Sequence, residues 1–210
     1  MQLRFLGHAA FSLQFDGARL CLDPHRPGAV GGRFALPPIE GPFDVIAVSH
    51  AHEDHCGWTP ALGTDHVIDA DADFAGFSLR FRPVFHDKVG GVQMGLSQMI
   101  KITAGDTTIV HCGDIGGWDD EDLAWLQGVD LLLVPVGGTF TVNGKEAAEL
   151  VALTKPRWVV PMHAADPRVD LNLAPTSDFL AACPRPTVAL STLDLDDPPA
   201  DGATLLLQSP

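Results

Sequence analysis

The chain has no tyrosine, so no phenol is available as a general acid or oxyanion donor. Its four cysteines, Cys21, Cys56, Cys112 and Cys183, are dispersed and form no CxxC pair. That spacing excludes a disulfide framework and reads as free thiols in a reducing compartment. Cations are scarce: 13 Lys and Arg stand against 27 Asp and Glu, a net charge of −14, with no basic stripe. Nucleic acid is disfavoured as a partner on that ground. Met1-Gln2-Leu3-Arg4-Phe5 lacks the basic, apolar and small-residue segments of a secretory leader. No uninterrupted apolar run approaches the length of a membrane helix. There is no Gly-x-Ser-x-Gly elbow to expose a serine nucleophile. The expectation is a soluble, cytoplasmic protein without a membrane contact that works on a small-molecule substrate.

What is present is a concentration of metal-ligand side chains. Of nine histidines in the chain, three fall in the hexapeptide His50-Ala51-His52-Glu53-Asp54-His55, directly after the apolar run Val45-Ile46-Ala47-Val48. Neutral imidazoles and ionised carboxylates are the ligands that borderline divalent ions such as zinc prefer. His50 and His52 alternate and so point the same way in an extended turn, with Asp54 and His55 next. One short loop thus offers two ligands to one metal and two to a second. At 210 residues with 46% hydrophobic content, the chain reads as a single domain over 1–210 with a full core.

Residues 2 to 23 read as three short strands around the hairpin signal Asp16-Gly17. His8 follows Gly7, either facing a site or hydrogen-bonded in the core. Asp23, at a strand end before Pro24, is either a turn carboxylate or the partner that orients a ligand histidine. Residues 24 to 42 are rich in Gly and Pro and form a long loop of the kind that makes pocket walls. Its cations, Arg26 and Arg33, read as solvated, with an anionic substrate as the alternative. Further apolar runs end on His86, on His111-Cys112-Gly113-Asp114, and on Met162-His163. Helices are expected over Asp119–Gln127, stopped by Gly128, over Lys145–Thr154, stopped by Pro156, and near Ser177–Ala182. Leu131-Leu132-Leu133-Val134 is a strand buried on both faces. Four strand ends therefore supply His50/His52/Asp54/His55, His86, His111/Asp114 and His163. In layered α/β proteins such ends gather at one edge of the sheet.

These motifs resemble those of the metallo-β-lactamase superfamily. His50-Ala51-His52-Glu53-Asp54-His55 matches its HxHxDH signature in full, and His86, Gly113-Asp114 and Val159-Val160-Pro161-Met162-His163 match its later motifs in order. Leu6-Gly7-His8-Ala9, Cys21-Leu22-Asp23-Pro24 and Asp130–Gly138 are similar to the small branch of L-ascorbate-6-phosphate lactonase-like proteins. The resemblance implies an α/β, four-layer αβ/βα sandwich with the metal site at one edge of two sheets. It implies two divalent metal ions, zinc foremost, with manganese or iron as substitutes. His50, His52 and His86 would hold the first, Asp54, His55 and His163 the second, and Asp114 would bridge them. Two metals about 3.5–4 Å apart share a water whose pKa falls from about 15.7 towards about 7, which supplies a bridging hydroxide. The implied reaction is hydrolysis of a small ester, lactone or phosphoester, including phosphodiesters.

With no tyrosine present, His8 or His111 would fill any remaining acid or oxyanion role, and Asp54 would accept a proton as the intermediate collapses. His111 is not a usual ligand of the family, so it is substrate-facing, orienting or structural. Cys56 and Cys112 adjoin ligands but lie outside the matching pattern. Lys88 reads as a surface ion pair, and Trp58 and Trp118 as core aromatics. The segment Val89–Ser97 keeps the glycines but lacks the Arg and Asn that relatives often carry there. Two other readings stand beside hydrolysis. One is a mononuclear iron dioxygenase on the same fold, and the other is a non-catalytic metal- or ligand-binding module.

Overall fold

The computed structural model describes residues 1–210. In chain order the elements are β1 (Gln2–Gly7), β2 (Ala10–Phe15), β3 (Ala18–Leu22), the turn α1 (Ala29–Gly32), β4 (Val45–Ala47), β5 (Val67–Ile68) and β6 (Ala72–Phe74). They continue with β7 (Phe77–Phe85), β8 (Leu96–Ala104), β9 (Thr107–His111), α2 (Asp120–Trp125), β10 (Leu131–Pro135), α3 (Gly144–Thr154) and β11 (Trp158–Met162). Last come α4 (Thr176–Ala182), β12 (Thr187–Leu190), β13 (Leu193–Asp194) and β14 (Ala203–Leu207). No helix is long and apolar enough to cross a membrane.

Two sheets result, a six-stranded one in the order β13-β1-β2-β3-β4-β5 and an eight-stranded one in the order β12-β14-β11-β10-β9-β8-β7-β6. The outer part of each is an antiparallel meander, and most of the ligand motifs follow parallel strands, β3 with β4, and β9 with β10 and β11, whereas His86 follows β7 of the antiparallel part. The β2–β3 connection is a tight hairpin in which Asp16 and Gly17 both take positive φ, 48° and 81°, as a turn matched to strand twist requires.

The strand β10 shows why the interior run is unbroken. Leu131 and Leu133 face the core between the sheets, with Leu3, Phe11 and Leu13 of the first sheet and Ile102 and Trp158 of the second. Leu132 and Val134 face the other way, onto Ala147, Leu150 and Val151 of α3, Phe179 of α4 and Leu126 at the end of α2. A strand covered on both faces has no polar side to show. Helix α2 starts where a capping box places it, with Asp119 accepting from Asp122 N–H and the Asp122 carboxylate accepting from Asp119 N–H. Asn143 and Glu146 do the same for α3. The sheets and helical layer follow the αβ/βα expectation. Over the outer face of the first sheet, however, Cys21, Ile46 and Val48 are covered by Phe43 and by Leu62 of a 3-10 turn, in place of helices.

Candidate metal centre

Strands that run the same way leave their carboxyl ends at one edge, and β7, antiparallel to β8 as β8 is to β9, runs with β9; there the chain turns from ladder to loop. Asp23 follows β3, His50 to His55 follow β4, His86 follows β7, and His163 follows β11. Asp114 follows β9 through Gly113. Gly113 has φ of 54°, and a Cβ on it would sit 2.4 Å from the Gln98 carbonyl oxygen and 2.7 Å from Ser97 Oγ. Only glycine lets the backbone pass that close, and the passage sets Asp114 N–H 3.0 Å from Ser97 Oγ.

Two groups of ligand atoms come together. His50 Nε2 lies 3.0 Å from His52 Nδ1, which lies 3.2 Å from His86 Nε2. Beside them His8, Asp54, His55 and His163 converge in a buried group. Asp114 Oδ2 stands between, 3.2 Å from His86 Nε2, 3.3 Å from His55 Nε2 and 3.3 Å from His163 Nε2. Asp54 Oδ2 is 3.7 Å from His55 Nε2.

The far sides of these rings fix their tautomers. Ser49 donates its hydroxyl to Asp23 Oδ2 at 2.5 Å, so the 2.9 Å contact with His50 is His50 Nδ1–H donating to Ser49 Oγ. His55 Nδ1–H donates to Asp23 Oδ2 at 2.7 Å, and His86 Nδ1–H to the Phe140 carbonyl at 3.3 Å. Each ring, in its neutral form, is left with an Nε2 lone pair turned to the centre. The centre itself is under-partnered: His55 Nε2 and Asp114 Oδ1 are buried without a hydrogen-bond partner. Buried polar atoms are seldom left so, and lone pairs facing one another at 3 Å repel unless something positive lies among them. The N/O donor set suits zinc, manganese or iron.

Titration behaviour reports the same crowding. Burial pushes the Asp114 carboxyl up, but His163 and His55 beside it hold it well below the ordinary carboxylate range. Burial disfavours His55 cation, yet Asp114 and Asp54 overcome it and raise His55 well above the ordinary histidine value. Burial and the neighbouring His55 push His50 down to about 3.

The remaining expectations resolve one by one. Asp23 takes three donors, Ser49 N–H, Ser49 O–H and His55 Nδ1–H, and is the orienting partner of His55. His8 does not face substrate. Its ring is fully buried, and Nε2 lies 3.1 Å from Asp54 Oδ2. Burial and His163 lower His8 to about 3, so it is neutral and donates Nε2–H to Asp54. Of the roles open to His111, its contacts fit the orienting one: Nε2–H donates to the Ala9 carbonyl at 2.8 Å and Nδ1 accepts Gly113 N–H at 3.0 Å. Both nitrogens are spent holding the Gly113–Asp114 turn against the β1–β2 turn. Cys112 is buried and Cys56 exposed, and neither joins a ligand group. Trp58 and Trp118 pack against apolar clusters outside the site. Lys88 pairs with Glu146 at 2.6 Å.

A cavity of ≈430 Å³ opens on the ligand groups, with His52, His86, Asp114 and His163 as its floor. Its walls come from the 24–42 loop (Val30, Arg33), from Met94, from Phe140, and from Leu171, Asn172 and Leu173. The 24–42 loop was expected as a pocket wall, whereas sequence reasoning missed Phe140, Leu171, Asn172 and Leu173 and the carboxylates that hold the walls in place. Glu53, inside the hexapeptide, accepts Arg26 at 2.7 Å and Val30 N–H at 2.7 Å, which ties the loop to the metal motif. Asp87 accepts four backbone N–H groups, from Val89, Gly91, Gln93 and Met94, and so shapes the loop after His86. The run of glycines there was the available signal for Asp87. Glu53 had none beyond its place between ligands.

The Beta-lactamase superfamily domain profile matches residues 2–163. The UPF0173 metal-dependent hydrolase of Carboxydothermus hydrogenoformans is 32% identical over 192 residues, 78% of this chain and 84% of that protein. Its counterpart in Pyrococcus furiosus is 34% identical over 202 residues, 80% of this chain and 89% of that protein. A crystallised metallo-β-lactamase superfamily protein of Thermotoga maritima superposes with a TM-score of 0.77 at 25% identity, covering 98% of both chains.

Proposed function

Because the chain belongs to the metallo-β-lactamase superfamily, within its metal-dependent hydrolases, we propose that it is a binuclear hydrolase of a small ester, lactone or phosphoester. The observation that carries this reading is Asp114 Oδ2, within 3.3 Å of histidine nitrogens from both ligand groups. One carboxylate so placed suits two ions better than one. His50, His52 and His86 would hold the first ion, and Asp54, His55 and His163 the second, with Asp114 shared between them. Zinc fits the donors best. When bound, such ions supply hydroxide at neutral pH and polarise the attacked carbonyl or phosphoryl oxygen.

The chain's own residues do the rest. Asp23 holds the His55 ring with Nε2 inward, and Ser49 does the same for His50. His8 donates to Asp54 Oδ2 and holds that carboxylate towards the cavity floor, where Asp54 is placed to take a proton from the collapsing intermediate. His8 acts through Asp54 and is a positioning residue. The apolar walls exclude water from the reacting bond.

Elemental analysis of protein purified without chelator or a polyhistidine tag tests the reading. About two equivalents of zinc or manganese per chain are expected, falling towards one in His163→Ala or Asp54→Ala. Ester, lactone and phosphodiester panels then identify the bond. One equivalent of iron, unchanged by His55→Ala, would refute the binuclear reading and favour oxygen chemistry.

A further inference from the structure

The cavity over the ligand groups is mostly apolar, with Val30, Met94, Phe140, Leu171 and Leu173 in its walls. Its acidic residues are all engaged. Asp54 and Asp114 face the histidine nitrogens, and Glu53 is bound to Arg26 and to Val30 N–H. Arg33 is different. It is the only Lys or Arg in the cavity wall, and its guanidinium forms no ion pair and no hydrogen bond within the chain. Every other arginine of the long loop is matched, since Arg26 has Glu53. Three other cations of the chain, Arg4, Lys145 and Lys155, are also unmatched, but none of them lines the cavity over His52, His86, Asp114 and His163, and in a chain of net charge −14 an unengaged guanidinium there stands among neutral and acidic neighbours.

The backbone around Arg33 is held rather than loose. Arg33 N–H donates to the Ala29 carbonyl, the Arg33 carbonyl accepts Asp170 N–H at 2.9 Å, and Phe34 pairs with Val169 across an isolated bridge. Glu53 pins the start of the same turn through Val30. A guanidinium on an anchored backbone, in the wall of the cavity whose floor is the ligand groups, offers a fork that matches carboxylate or phosphate.

We propose that the substrate is amphipathic: an acyl or alkyl chain that fills the apolar walls and ends in an anionic group on Arg33, remote from the bond that is cleaved. This rests on the hydrolase reading above and adds the substrate class. It makes Arg33 a specificity residue that acts on binding and takes no part in bond cleavage. A cavity of ≈430 Å³ suits a small metabolite rather than a polymer.

The test uses the metal-loaded protein and matched compounds. Mono(4-nitrophenyl) glutarate carries a remote carboxylate where 4-nitrophenyl pentanoate carries a methyl group. Glutaramate, the monoamide of glutarate, and pentanamide give the same comparison in binding, read by calorimetry without turnover. Wild-type protein is expected to favour the carboxylate-bearing member of each pair at least tenfold, in kcat/KM and in Kd. Arg33→Gln should bring both ratios to within about threefold of one, Arg33→Glu should invert them, and Arg33→Lys should restore part. Arg33 is exposed, so the variants keep the wild-type melting temperature. A tenfold binding preference lost in Arg33→Gln, with neither ester cleaved, supports the anion site and counts against ester hydrolysis. Ester cleavage with ratios that Arg33→Gln and Arg33→Glu leave unchanged overturns the inference and spares the hydrolase. Equal binding of glutaramate and pentanamide by the wild type also overturns it.

Discussion

Asp23→Asn removes one charge and almost no volume, and its consequence is read atom by atom. The Asp23 carboxylate accepts Ser49 N–H at 2.7 Å on Oδ1, and Ser49 O–H at 2.5 Å and His55 Nδ1–H at 2.7 Å on Oδ2. All three partners donate. Burial would raise this carboxyl, but His111 and His55 beside it lower it, so Asp23 is ionised throughout the ordinary pH range. An asparagine keeps one acceptor and places N–H groups where Oδ2 stood, facing two donors. The escape is for His55 to move its proton to Nε2 and present Nδ1 as acceptor. That tautomer has no lone pair left for the metal centre. Hydrogen bonds to a charged partner contribute about 1.5–3 kcal/mol each, and losing the two on Oδ2 should destabilise metal-free protein by ~3–6 kcal/mol. At roughly 2–4 °C per kcal/mol, the melting temperature falls by at least ~6 °C. Loss of an orienting partner typically costs about 10–100-fold in metal affinity. The group of Asp54, His55 and His163 should weaken by that factor. The group of His50, His52 and His86, which Asp23 touches only through Ser49, should change by less than about threefold. Competition between protein and a chromophoric chelator for zinc resolves the two constants. A folded Asp23→Asn protein in which both constants are unchanged, or in which the His50 group weakens more, would refute the tautomer argument.

Two further outcomes follow from the same geometry. Gly113→Ala meets the Gln98 carbonyl at 2.4 Å at a φ of 54°. It should cost ~2–5 kcal/mol in a thermal melt and lower metal content, because Asp114 moves with the turn. Gly117→Ala, with nothing within 4 Å, should be silent in the same assays. In metal-free protein, native His8 stays neutral until about pH 3, whereas the unfolded chain protonates it near 6.5. The unfolded state binds more protons in that window, so the stability due to His8 is complete above about 6.5 and is lost as pH falls towards 3. The melting temperature of the wild type should drop more steeply than that of His8→Gln between pH 6.5 and 5, and parallel curves would count against a neutral buried His8.

The regular elements were largely legible because their signals are local. The capping boxes at Asp119 and Asn143, the run Leu131–Val134 and the turn Asp16-Gly17 each act within a few residues of themselves. β6 and β13 escaped because strands of three and two residues exist only through their partners. The thin outer layer over Cys21, Ile46 and Val48 escaped for a related reason. What covers a sheet face is decided by whichever distant loop reaches it.

The site divides along the same line. By itself the sequence determined the ligand types, their places at strand ends and their order, because a metal's choice of imidazole and carboxylate is chemistry carried by side-chain identity. His111 shows what identity leaves open. It stands in the same kind of position as His86 and His163, yet the Ala9 carbonyl and Gly113 N–H absorb both its nitrogens. Asp23, His8, Glu53 and Arg33 likewise acquire their parts from residues 20 or more positions away, through partners that no local pattern names. Tertiary structure decided which histidines turn a lone pair inward, which carboxylate stands between the two ligand groups, and which cation lines the cavity above them, because each depends on a contact that exists only once the two sheets have closed.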